Sequence, residues 1–324
     1  MFLKALASVN DHLRLCISLF LVSLLCTDAS AQKANEILSG TALKEQIESQ
    51  RSTIELATKH QLSNAKLGYL WAVLAAMYRR EGDFTAAEGA YIRALDLQRD
   101  LPAATQNYAT TLDNFGSLYL LYGRIEEAER YNRMGAKIRE RMGYKLDLAR
   151  SSVHLAEIDM AKHRFKQAEN EAETALRVMR AENDPETLDL IASLNALAFT
   201  RCLRGRCADG LASAKESVEL ARARFGERSP ALAHSMMALG FALWKGGQID
   251  EAGAAMRQGI EVMQQQSTVD GRGLLLALVE YRNYLRGMQR TSDADAVDRE
   301  LITAKAQMGS ACVDCIDVRS LAAK

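Results

Sequence analysis

Neither sign of charge prevails in this chain, with 41 Lys and Arg against 41 Asp and Glu in 324 residues. A chain with no basic excess has no global field with which to hold nucleic acid or an anionic membrane surface. Nor is any apolar run as long as the roughly 20 residues a spanning helix requires. The run from Leu15 to Cys26 falls well short of that. No His-Glu-x-x-His pattern and no nucleophile elbow occurs. His60, His154, His163 and His234 stand in separate segments, so no metal or acid–base constellation forms, and neither a catalytic residue nor a cofactor is expected. Proline is scarce: Pro102, Pro185 and Pro230 are the only three, and long helices can run between them. With 48% apolar residues and no long low-complexity tract, the chain can bury an extended core.

What is present is a period. A turn column reads Gly82, Gly123, His163, Gly205, Gly247 and Gln289, at intervals of 40 to 42 residues. Five residues after each turn stand Ala87, Ala128, Ala168, Gly210, Ala252 and Ala294, and seven before stand Ala75, Gly116, Ala156, Ala198 and Gly240. Two antiparallel helices approach closely only where a side chain is small, so these columns mark helix crossings. Just ahead of the second column lie Leu74, Phe115, Leu155, Leu197 and Leu239, predicted to fill the core beside each crossing. In the sixth copy the pair becomes Tyr281 and Arg282, which predicts a terminal repeat with a more polar outer face. All three prolines fall between a second helix and the next first helix.

In the first copy, Trp71, Leu74, Ala75 and Tyr78 are followed by Gly82, Ala87 and Tyr91; in the second, Leu112, Phe115, Gly116 and Tyr119 are followed by Gly123 and Ala128. This pattern resembles the tetratricopeptide repeat. The long period, together with Thr111-Leu112-Asp113-Asn114-Phe115-Gly116, Arg124-Ile125-Glu126-Glu127-Ala128-Glu129 and Phe225-Gly226-Glu227-Arg228-Ser229-Pro230, resembles the kinesin light chain type. The resemblance covers residues 67 to 307. It implies an all-α fold, a right-handed α-solenoid of about six helix-turn-helix repeats, near 67–101, 108–142, 148–182, 190–225, 232–266 and 274–307. Thr53-Ile54-Glu55-Leu56 echoes Ala94-Leu95-Asp96-Leu97 at a distance of 41 residues, so 32–66 reads as an N-terminal cap formed from a decayed repeat. The solenoid is expected to be continuous.

The first 31 residues read as a secretory signal: Lys4 and Arg14, the apolar run, then Ala29-Ser30-Ala31 with cleavage after Ala31. Its removal takes away two basic and two acidic residues and leaves the charge balanced. The absence of an Asn-x-Ser/Thr sequon favours a bacterial periplasm over a eukaryotic secretory route, and no membrane span is expected after cleavage. Cys202, Cys207, Cys312 and Cys315 then remain, and in an oxidising compartment an even number invites disulfides. Cys202 and Cys207 flank the Gly205 turn. Cys312 and Cys315 have redox-motif spacing in a short tail, 308–324, which lacks the strand–helix–strand setting that activates a thiol.

The resemblance further implies a concave groove lined by first helices, with residues six and ten before each turn facing it. Those columns collect small and polar residues early, Asp113 among them, and Asn195, Phe199, Met237, Phe241 and Asn283 later, with Trp244 nearby. One reading is a cleft for a peptide or helix of an unknown protein partner, with Asn195 and Asn283 bonding its backbone. The competing reading buries Phe199, Phe241 and Trp244 against neighbouring first helices. A third folds the tail residues Val313, Ile316, Val318 and Leu321 into the cleft. A non-enzymatic exported scaffold leads, ahead of thiol–disulfide activity at Cys312 and Cys315 and of a self-assembling module. Asp113 stands where that type more often has asparagine, and the lysine–asparagine pair that clamps a C-terminal carboxylate is missing from the first copy, which disfavours chaperone tails as ligands.

Overall fold

A computed structural model describes residues 40–101, 105–181, 187–265 and 271–307. The signal segment, Pro102, Pro185, Cys312, Cys315 and the tail lie outside the described residues. Among the described residues there are thirteen helices and no strand: α1 (Gly40–Lys59), α2 (Asn64–Glu81), α3 (Phe84–Gln98), α4 (Thr105–Leu121), α5 (Ile125–Met142), α6 (Lys145–Ala161), α7 (Phe165–Ala181), α8 (Thr187–Leu203), α9 (Cys207–Phe225), α10 (Pro230–Lys245), α11 (Ile249–Gln264), α12 (Gly271–Gly287) and α13 (Thr291–Gln307). The fold is an all-α repeat fold, six helix pairs preceded by α1.

Each pair is joined in the same way. All six residues of the turn column have positive φ, from 57° at His163 to 87° at Gly82. The amide one residue beyond the turn returns to the carbonyl four residues before it in every copy, as in Asp83 N to Tyr78 O (3.0 Å), Arg164 N to Asp159 O (2.8 Å) and Arg290 N to Leu285 O (2.9 Å). This closure satisfies carbonyls that the helix end leaves open, and it needs one left-handed residue, which glycine adopts without steric cost. His163 and Gln289 adopt it with a side chain in place.

The small-residue columns meet across each hairpin. A Cβ built on Gly116 would lie 3.0 Å from the Ala128 carbonyl, one on Gly240 3.1 Å from the Ala252 carbonyl, and one on Gly210 2.8 Å from the Ala198 carbonyl. Ala75, Ala87, Ala156, Ala168 and Ala252 are wholly buried. Leu74, Phe115, Leu155 and Leu197 fill the core beside these crossings as expected, while Leu239 is only partly buried. At the N-terminal end Leu43, Ile47, Ile54 and Ala57 of α1 pack with Leu70, Val73, Leu74 and Met77 of α2, and Gln50 donates to the Leu70 carbonyl at 2.9 Å.

The chain divides into two compact units, residues 1–115 and 116–324, where the repeat pattern predicts one continuous array. Repeats touch only their neighbours, so no shared core opposes such a division. Within the second unit, two carboxylates tie repeats together at equivalent positions, six residues after a turn. Glu129 receives Lys162 (2.8 Å) and Arg164 (2.9 Å) from either side of the next turn, and Arg133 (2.8 Å) from its own helix. One repeat later Glu169, almost fully buried, receives Arg204 and Arg206 from the equivalent positions, with Arg201 at 3.3 Å. In the following repeats Leu211 and Gly253 hold that position, and apolar packing takes over: Ile191 to Ala304 contribute to one continuous cluster.

The last pair departs from expectation. Arg282 does not present a polar outer face; it is 2% exposed, pairing with Asp298 of α13 at 3.2 Å and donating to Asn283 Oδ1 at 3.3 Å. Asp298 also receives Arg286 at 2.7 Å. An arginine stands at the crossing because its partner helix supplies a carboxylate there.

Candidate functional site

Successive first helices of the second unit lie side by side, so residues 42 apart in sequence come into contact. Phe199 of α8 and Phe241 of α10 meet with ring centroids 4.9 Å apart. One turn along α10, Trp244 stands edge-on to Phe241 at 6.3 Å and to Tyr284 of α12 at 5.9 Å. Tyr284 stacks on Tyr281 and donates its hydroxyl to the Ile249 carbonyl at 2.9 Å. The result is an aromatic ladder across three first helices, built from offset and edge-to-face contacts that aromatic rings favour. Phe241, Tyr281 and Tyr284 are buried; Phe199 and Trp244 remain half-exposed.

One charge lies on this ladder, and another stands on α12 four residues before Tyr284. Lys245, exposed, holds its Nζ 4.1 Å from the Trp244 ring centre and 5.7 Å from that of Phe241, a cation over aromatic faces. Glu280 of α12 is half-buried, one helical turn before Tyr284. Burial pushes that carboxyl up to about 7, against the pull of Lys245. Glu280 forms no hydrogen bond and no ion pair with another described residue.

The remaining predicted residues are placed as follows. Asn195 accepts from Ser217 of α9 at 2.7 Å, and Ser217 in turn lies 2.7 Å from the Ser235 hydroxyl of α10. Asn283 accepts from Arg282. The amide oxygens of both asparagines, expected to be open to a peptide backbone, are thus engaged within the protein. Met237 is 7% exposed, and a Cβ on Gly259 of α11 would meet its sulfur at 3.2 Å, so it packs inside its own hairpin. Asp113 is 4% exposed and belongs to the first unit. Cys202 and Cys207 are free thiols; burial pushes the Cys202 thiol up, which makes it a poor nucleophile.

Sequence reasoning missed Lys245, Glu280 and Tyr284. A signal for Glu280 existed: nine residues before each turn the chain reads Val73, Asn114, His154, Ala196, Ala238 and then Glu280. A carboxylate breaks a column that is otherwise small or neutral. Among the described residues no cluster of three His, Cys, Asp or Glu could hold a metal, and no helix is long and apolar enough to cross a membrane.

The family model for the tetratricopeptide repeat matches residues 68–141 and 189–265. A search of curated protein sequences finds no match. Among solved structures, the apo form of RapI is similar at TM-score 0.68 and 12% identity, over 83% of this chain and 96% of that one. NprR in complex with its cognate peptide NprX is similar at TM-score 0.58 and 13% identity, over 91% of this chain and 78% of that one. A putative kinesin light chain from Podosopora anserina, of nearly identical repeats, reaches TM-score 0.50 and 17% identity over 62% of this chain and 96% of that one. At such identities the likeness is one of fold.

Proposed function

With the chain a tetratricopeptide-repeat protein over residues 68–141 and 189–265, we propose that it is a non-enzymatic exported scaffold whose second unit binds a peptide segment of a partner protein on the aromatic ladder. The observation that carries this reading is the half-exposure of Phe199 and Trp244 at the two ends of a contact chain through buried Phe241. Rigid aromatic side chains with one face open are the anchors that interfaces use. NprR, similar in fold, has been solved with a cognate peptide, which supports a peptide as the class of ligand. The charged N-terminal start, the apolar run and Ala29-Ser30-Ala31 support a periplasmic or secreted location.

A second reading keeps the ladder as packing between repeats, and the 6% exposure of Phe241 favours it. Peptide display against the mature chain separates the two. Selected peptides that lose at least tenfold in affinity for a Phe199→Ser, Trp244→Ala variant of unchanged helicity support the scaffold. Peptides that bind both proteins equally move the site elsewhere, and a variant that melts far lower while no peptide is selected supports packing.

A further inference from the structure

We propose that Cys202 and Cys207 form a reversible disulfide that staples the end of α8 to the start of α9. The repeat register sets this pair apart. Three residues before each turn the chain reads Arg79, Leu120, Met160, Cys202, Trp244 and Arg286, and two after it Phe84, Ile125, Phe165, Cys207, Ile249 and Thr291. Only the fourth hairpin carries cysteine at either position, and it carries both. The turn between them is tightly closed, with Gly205 N donating to the Cys202 carbonyl at 3.0 Å and Arg206 N to the Arg201 carbonyl at 2.8 Å. Across it the Cys202 thiol faces α9: its Sγ lies 3.9 Å from the Cys207 carbonyl oxygen, and a Cβ built on Gly210 would meet that sulfur at 2.8 Å. Contact with the Cys207 thiol adds to burial in holding the Cys202 thiol up. Bond formation draws the two sulfurs together to about 2 Å, through rotation of the half-buried Cys207 side chain.

The two thiols differ in access, and this orders the exchange. Cys207 is half-buried, whereas Cys202 is 6% exposed, and the thiolate is the attacking form. With a low-molecular-weight disulfide as oxidant, the Cys207 thiol gives its proton to solvent and attacks one donor sulfur. The donor S–S bond breaks, and the departing donor thiolate takes up a proton. The Cys202 thiol then loses its proton, attacks Cys207 Sγ and expels the second donor thiol. One S–S bond has broken and another has formed; two protein thiols have been oxidised, and the donor has been reduced to two thiols. The second step is intramolecular within the folded hairpin, so the mixed disulfide does not persist. Phe199 precedes Cys202 by three residues and Leu203 follows it, so the bond fastens to α9 the end of α8 that carries the half-open ring.

The test uses the mature chain carrying Cys312→Ser and Cys315→Ser, which confines exchange to this hairpin, in buffers of oxidised and reduced glutathione. After an acid quench and trypsin, mass spectrometry should find residues 202–204 joined to residues 207–215 under oxidised glutathione and separate under reduced glutathione. Adding Cys202→Ser should arrest the exchange with glutathione held on Cys207. Because the closed turn keeps the sulfurs together, the equilibrium constant for bond formation should be at least about tenfold larger in native buffer than in concentrated urea. A chain that stops at a glutathione adduct on Cys207 while Cys202 is present, that keeps both thiols under excess oxidised glutathione, or that closes the bond no better folded than unfolded overturns the proposal.

Discussion

Replacing Glu280 by glutamine should make the second unit more stable at pH 8 and leave it unchanged near pH 4. In the folded chain the carboxyl is pushed up to about 7 from an ordinary 4.5 because burial disfavours its charged form, with Lys245 only partly offsetting this. The native state therefore holds a proton that the unfolded chain releases, and stability falls as pH rises from 4.5 through 7. Fully expressed, that gap is about 3 kcal/mol; partial exposure of the side chain to screening solvent lowers the expectation to about 1–3 kcal/mol. Glutamine keeps the shape and never ionises, so the gain grows as pH rises from 4.5 toward 7, where the unfolded wild-type carboxyl ionises while the folded one holds its proton. Trp244 lies on the same ladder, and a Trp71→Phe background removes the only other tryptophan. Thermal melts followed by Trp244 fluorescence should then show a variant advantage of about 2–4 °C per kcal/mol at pH 8, shrinking toward zero at pH 4. An advantage of equal size at both pH values, or none at either, would refute the assignment of an uncompensated buried carboxyl.

Other consequences follow from the register. Gly210→Ala should lower the denaturant midpoint by roughly 1–3 kcal/mol, because the new Cβ meets the Ala198 carbonyl and the Cys202 sulfur, both at 2.8 Å; Gly89→Ala, with nothing within 4 Å, should stabilise its helix by roughly 0.5–1 kcal/mol. His163→Gly should raise the melting temperature, since a left-handed residue with a Cβ costs roughly 1–2 kcal/mol against about 1 kcal/mol of added glycine entropy; a fall would mean that the edge contact of His163 with Phe165 outweighs the strain. Burial opposes ionisation of Glu129, but bonds from Lys162, Arg164 and Arg133 prevail and lower its pKa to about 2. Its contribution is therefore present above pH 4.5 and lost as pH falls toward 2, and Glu129→Gln should flatten that part of the acid-stability curve while destabilising the protein at pH 7.

The parts of this molecule that one sequence revealed are those that sterics dictates. A helix crossing excludes side chains, and a left-handed turn admits few residues other than glycine, so both constraints recur in every copy and appear as columns; even His163 and Gln289, the two non-glycine members, take the conformation the column requires. The binding face obeys no such rule. A position facing a neighbouring first helix and a position facing a ligand share the same helical period, and only the angle at which adjacent repeats meet decides between them, as the inward placement of Met237 and the outward half of Phe199 illustrate. Pairings that reach across repeats were hidden for the same reason: Glu169 meets Arg204 and Arg206 35 and 37 positions later, through geometry that no local pattern encodes. What remained visible was the misfit residue. Arg282 in a small column and Glu280 in a neutral one both break the repeat, yet Arg282 finds its carboxylate in Asp298 while Glu280 forms no ion pair among the described residues. A repeat protein can tolerate an internal misfit that is matched from within, as at Arg282; one left unmatched, as at Glu280, costs stability as pH rises and its carboxyl ionises.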